Sequence, residues 1–146
     1  MNKISEIELH YKSNGEEEIK ITSSSSAYEL FLEYWDINTI ELQEEFKVLL
    51  LSRSNTVLGI FCLSKGGIAG TVVDVKLLFV VAIKSKASGF ILAHNHPSGN
   101  LKPSNNDINL TKKIIEASKF LDIDLIDHII LNNKNYYSFI DESLIK

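Results

Sequence analysis

The chain has a single cysteine, Cys62, so no disulfide can form within it and nothing in its composition calls for an oxidising compartment. A cytoplasmic location is the expectation. A long apolar stretch is missing as well: the longest uninterrupted run, Leu77 to Ile83, falls far short of the roughly 20 residues that span a bilayer. No membrane partner is expected, and that run has the length of a buried helix. Behind Lys3, Glu6 and Glu8 no apolar segment follows that would act as a signal peptide. Excess positive charge is absent too, since the formal net charge is -4. DNA is therefore disfavoured as a partner, except through a local patch. No internal repeat is visible.

What is present is the composition of a globular protein, 45% hydrophobic and 23% charged over 146 residues. That length suffices for one domain with a core of its own. Residues 1 to 22 alternate weakly (Ile4, Ile7, Leu9, then Ile19, Ile21) around a polar centre, a hairpin-like pattern. A serine among 23–26 caps a short helix carrying Leu30, Phe31 and Tyr34. A second helical stretch, opened by Asn38 or Thr39 through Ile40, Leu42 and Glu45, runs into the strand Phe46 to Leu51. Turn residues Ser52 to Thr56 lead to a pairing strand, Val57 to Leu63, and then to a loop with Gly66, Gly67 and Gly70.

Beyond Asp74, Leu77, Leu78, Val81 and Ala82 recur at helical spacing, and that helix ends around Ser85 to Ser88. Gly89 to Ala93 reads as a buried strand that delivers His94 into a loop broken by Pro97 and Gly99. A long helix follows Pro103, with Leu110, Ile114, Ala117 and Leu121 as its stripe. Leu125 to Leu131 and Tyr136 to Ile140 are strands around an Asn132-Asn133 turn. The fold class is α/β: one mixed, twisted sheet flanked by helices, with polar residues gathered at the end of a central strand.

The chemistry concentrates in His94 to Asp107. Side chains alternate along an extended segment, so His94 and His96 can point to one side and reach one ion. Asp107, at the start of the next helix, offers a third ligand, and two nitrogens with one carboxylate leave a fourth tetrahedral position for water. On spacing alone a metal site and ordinary hydrogen-bonded loop histidines stand about equal. Ser104-x-x-Asp107 is also nearly a capping box, a purely structural role. Ser104 can cap and still face a site, whereas Asp107 is harder to share.

The run His94-Asn95-His96-Pro97-Ser98-Gly99, continued by Pro103-Ser104, Asp107 and Asp127-His128-Ile129-Ile130, resembles the JAB/MPN domain with its JAMM metalloprotease motif. Within it, the string is similar to the bacterial RadC-like proteins over roughly residues 40 to 140. The resemblance implies a cytidine-deaminase-like fold over 39–146, with 1–38 as an extension packing on it. It implies one Zn²⁺ per chain held by His94, His96 and Asp107, with Glu45 moving the proton of the attacking water and Ser104 steadying the oxyanion. Glu45, before Phe46, is the preferred match to the family's upstream glutamate, and Glu44 its neighbour. These parts describe hydrolysis of an amide or isopeptide bond in a peptide or protein substrate. The alternative is a non-catalytic module of DNA repair or mobile-element biology, binding a protein or DNA partner and keeping zinc for structure.

Two departures bear on substrate. Asn95 stands where many peptidases of the family have Ser or Thr, and the short N-terminal region has no room for the helix-hairpin-helix module of longer RadC-like proteins. The letters His-Asn-His match the HNH nucleases by coincidence, and one cysteine excludes the Pro-Cys-x-x-Cys segment of cytidine deaminases. Cys62 reads as an inert core residue. For Asp127 and His128 a hydrogen-bonded, inward-turned role is preferred to support of a zinc ligand. His10 reads as exposed, and Tyr28, Tyr34 and Trp35 as helix-face packing.

Overall fold

The computed structural model describes residues 3–67 and 71–145, so Gly70 of the expected glycine loop lies outside the described residues. Its elements are α1 (Ser24–Glu33), β1 (Glu45–Leu51), β2 (Val57–Lys65), α2 (Val75–Lys84), β3 (Gly89–Asn95), α3 (Asn105–Leu121), β4 (Asp124–Leu131) and β5 (Tyr136–Ser138). The strands form one mixed sheet in the order β2-β1-β3-β4-β5. Only β3 and β4 pair in parallel, because α3 carries the chain across between them. β3 lies second from neither edge and is buried along its whole length, as its nearly unbroken apolar run demands.

Period-2 alternation splits the sheet into two faces. Phe46, Val48, Leu50, Phe90, Leu92 and Ile130 meet α2 and α3 on one side. Leu49, Leu51, Ile91, Ala93, Ile129 and Leu131 meet α1 on the other, where Ala27, Phe31 and Trp35 are buried. The expected sheet flanked by helices is thus a three-layer α/β/α arrangement. Each helix start is capped: Ser23 and Ser26 form a capping box at α1, Asp74 accepts from Leu77 N–H at α2, and Ser104 and Asp107 form a capping box at α3. No helix among the described residues is long and apolar enough to cross a membrane.

Several local expectations are corrected. The stretch 37–42 forms turns and not a helix, because the Asn95 side chain takes the Ile40 and Gln43 carbonyls as acceptors. The hairpin does not form: Ile4, Ile7 and Leu9 are more than four-fifths exposed, and the segment meets the sheet through a bridge between Lys20 and Thr56, the buried Ile21 and a hydrogen bond from Tyr11 to the Leu58 carbonyl. Cys62 is exposed and not in the core, since β2 is the edge strand. α3 is rotated from its expected stripe: Asp107, Thr111, Ile114 and Ser118 are buried, while Leu121 is 43% exposed. The run in α2 is only half buried, with Val80 and Ile83 outward. Trp35 packs inside and Tyr28 stacks on Tyr136, but Tyr34 is exposed; His10 is exposed as expected.

Candidate metal centre

The centre is built where β3 ends and α3 begins. β3 aims His94 at the α3 face of the sheet, where Phe46 of the paired strand stacks on its ring at 4.3 Å. Two residues on, beyond the strand end, His96 returns to the same side. The Ser104 cap then starts α3 so that Asp107, in its first turn, points back. His94 Nε2 stands 3.1 Å from His96 Nε2 and 3.3 Å from Asp107 Oδ1, and His96 Nε2 stands 3.1 Å from Asp107 Oδ2. Donors bonded to one tetrahedral zinc at 2.0–2.1 Å stand about 3.3 Å apart. The triangle has that size.

The ring protons support the fit. His96 Nδ1 lies 2.7 Å from the Asn100 carbonyl oxygen, which only accepts, so His96 donates there and its Nε2 keeps a free lone pair when the ring is neutral. Neutral imidazole nitrogens gathered around a carboxylate need a cation between them. The hydrogen bond to Asp107 raises the His96 pKa. Burial alone would raise the Asp107 pKa, but bonds from His94, His96 and Ser104 N–H outweigh it and hold the carboxyl far below the usual carboxylate range.

Two carboxylates can complete the histidine pair. Glu44, with His94 and His96, forms a set of ligand atoms mutually within 4.8 Å. Asp107 is closer to both rings, and its Oδ2 is pinned by Ser104 N–H at 2.9 Å. Glu44 instead has its Oε2 tied to Thr71 N–H at 2.9 Å, which holds it on the other flank of a cleft of about 450 Å³ lined by Phe46, Val73, His96, Ser104 and Leu110. Asp107 is thus the nearer carboxylate to the histidine pair, and Glu44 stands on the opposite flank of the cleft.

The structure brings His94, His96, Asp107 and Ser104 together but not Glu45. Phe46 occupies the His94 side of β1, so Glu45 turns to the opposite side, where its Oε1 lies 3.9 Å from Lys65 Nζ and 3.9 Å from Cys62 Sγ. Glu44 takes the place expected of it. Three further residues shape the centre. Asn95 is fully buried; its amide donates to the Ile40 and Gln43 carbonyls at 2.7 and 2.9 Å and accepts Glu45 N–H at 2.9 Å, clamping the segment that carries Glu44. Ser or Thr could not span those three partners. His128 Nε2 lies 2.8 Å from His94 Nδ1, and Thr111 Oγ1 lies 2.8 Å from His128 Nδ1. The preferred inward role therefore holds for Asp127, which bonds Ser138 and backbone amides, while His128 supports His94 directly. Burial pushes the His128 pKa well down.

A three-layer domain with paired histidines at the mouth of a central strand and an aspartate in the following helix is a JAB domain. More narrowly, the chain belongs to the RadC-like JAB domain family, whose profile matches residues 21–144. It is 43% identical over 141 residues to a UPF0758 protein of Flavobacterium johnsoniae, covering 97% of this chain and 62% of that one. A UPF0758 protein of Clostridium acetobutylicum is 39% identical over 129 residues, 88% of this chain and 55% of the relative. One from Porphyromonas gingivalis is 44% identical over 104 residues, 70% and 46%. The chain thus spans about half to three-fifths of the length of these relatives.

Proposed function

We propose that this domain is a zinc-dependent hydrolase of the JAMM metallopeptidase type that cleaves an amide or isopeptide bond in a peptide or protein. The carrying observation is the triangle of His94, His96 and Asp107 with a separate carboxylate, Glu44, on its flank. Bound zinc supplies Lewis acidity toward a water and a carbonyl oxygen. Glu44, and not Glu45, takes the proton from the attacking water and returns it to the leaving amine. Thr71 N–H steadies that carboxylate while leaving its second oxygen to act. Ser104 Oγ already accepts Asp107 N–H, so its own proton is free to meet a developing oxyanion in the cleft.

Protein purified without a histidine tag or added metal is expected to carry about one zinc per chain by elemental mass spectrometry. Failure to retain zinc after it is offered overturns the reading. On peptide and isopeptide substrates, Glu44→Gln is expected to lose turnover by about 10²–10⁴-fold while keeping zinc, and Glu45→Gln to keep both. Turnover that survives E44Q removes Glu44 from its role.

A further inference from the structure

We propose that His128 and Thr111 are positioning residues that decide which nitrogen of His94 is left bare, through a hydrogen-bond circuit that runs from the Asp107 carbonyl through Thr111 and His128 to His94 Nδ1. The consequence for metal rests on the zinc reading above; the circuit does not. Thr111 Oγ1 stands 2.8 Å from the Asp107 carbonyl oxygen, one helical turn back, and 2.8 Å from His128 Nδ1. The hydroxyl has one proton, and the carbonyl only accepts. Both contacts are hydrogen bonds only if the hydroxyl donates to the carbonyl and accepts from His128 Nδ1–H.

His128 is fully buried, stacked on Phe139 at 4.5 Å, and the two contacts of the Thr111 hydroxyl put a proton on its Nδ1. Its one ring proton is spent on Thr111, so its Nε2 is bare and must accept from His94 Nδ1–H across 2.8 Å. His94 then presents a lone pair at Nε2, aimed at His96 and at Asp107 Oδ1. The reversed order would put a proton on His94 Nε2, inside the ligand set, and would leave Thr111 Oγ1 and the Asp107 carbonyl 2.8 Å apart with no proton between them. His96 reaches the same state through a main-chain carbonyl, which no side-chain change can remove. The relay through His128 and Thr111 is the half of the arrangement that substitution can break.

The test pairs Thr111→Val, which keeps the shape and removes the acceptor, with Thr111→Ser, which restores it. Zinc affinity is read by competition with a chromophoric chelator, and the protonated ring nitrogens by long-range ¹H–¹⁵N NMR. Thr111→Val is expected to bind zinc about tenfold or more weakly, with Thr111→Ser within about twofold of the unsubstituted chain. His128 is expected to carry its proton on Nδ1 with or without zinc. A Thr111→Val protein that melts earlier but binds zinc unchanged shows a merely structural hydroxyl and overturns the proposal. So does a His128 protonated on Nε2. If the unsubstituted chain binds no zinc, the metal reading falls and the NMR result alone decides the circuit.

Discussion

Asp107 and Asp127 are both buried carboxylates, on α3 and β4, yet their surroundings are opposite in kind. Asp127 is met by groups with protons of their own: Ser138 O–H at 2.6 Å, His128 N–H at 2.7 Å and Ile140 N–H at 3.1 Å. It ties β5 and the chain beyond it to β4. Burial raises its pKa, and these three bonds only partly oppose the rise. Asp107 has a single backbone donor, Ser104 N–H, and otherwise faces the ring nitrogens of His94 and His96. A carboxylate that closes a corner of the fold is surrounded by donors. One at the mouth of β3 shares its surroundings with two imidazole nitrogens, the donor set of a candidate metal centre.

The contrast is broken most strongly by exchanging losses. Asp107→Ala is expected to weaken zinc binding by more than about a hundredfold, beyond what loss of an outer partner costs, whereas Asp127→Ala leaves zinc affinity unchanged. Chelator competition on both variants checks this. In urea melts Asp127→Ala is expected to lose about 3 kcal/mol, because two backbone amides and the Ser138 hydroxyl lose their acceptor inside the protein. Asp127→Asn keeps the acceptor oxygen and should stay within about 1 kcal/mol of the parent at neutral pH. Its pH dependence sharpens the point. Folding raises the Asp127 pKa, so the protonated form is favoured in the folded state. The parent therefore loses stability relative to Asp127→Asn as pH rises from the ordinary carboxylate value, about 3.9, through the raised folded one. A difference that instead grows as pH falls contradicts the assignment.

The β1–β2 pairing, the serine caps of α1 and α3 and the convergence of His94 and His96 follow from patterns visible along the chain, because each rests on residues near in sequence. Which of two adjacent acids faces the histidines is a matter of parity. Glu44 and Glu45 are adjacent, and in a strand one step reverses the face, so only the stacking of Phe46 on His94 says which side the neighbouring acid takes. Turns at 37–42 were illegible because their cause, Asn95, lies some fifty positions away. The α3 stripe was read from its leucines, yet the buried face carries Asp107 and Thr111, polar side chains whose partners are His94, His96 and His128. Buried polarity is satisfied by distant partners, and apolar periodicity contains no record of them. The sequence signal that pointed to His128 was its place in Asp127-His128 at the head of an apolar strand; which of the two supported the centre needed the register of β3 against β4.

His94, His96 and Asp107 lie within a single stretch of chain, while Glu44 arrives from fifty residues before it. Closing the longer loop costs about 1 kcal/mol more in chain entropy than closing the shorter one, and it also requires β1 to find β3. Gathering the two histidines and Asp107 is a local event, and delivering Glu44 is a global one. A partly folded molecule can thus assemble the His94–His96–Asp107 triangle before the second carboxylate arrives, and the full cluster comes only with the completed sheet.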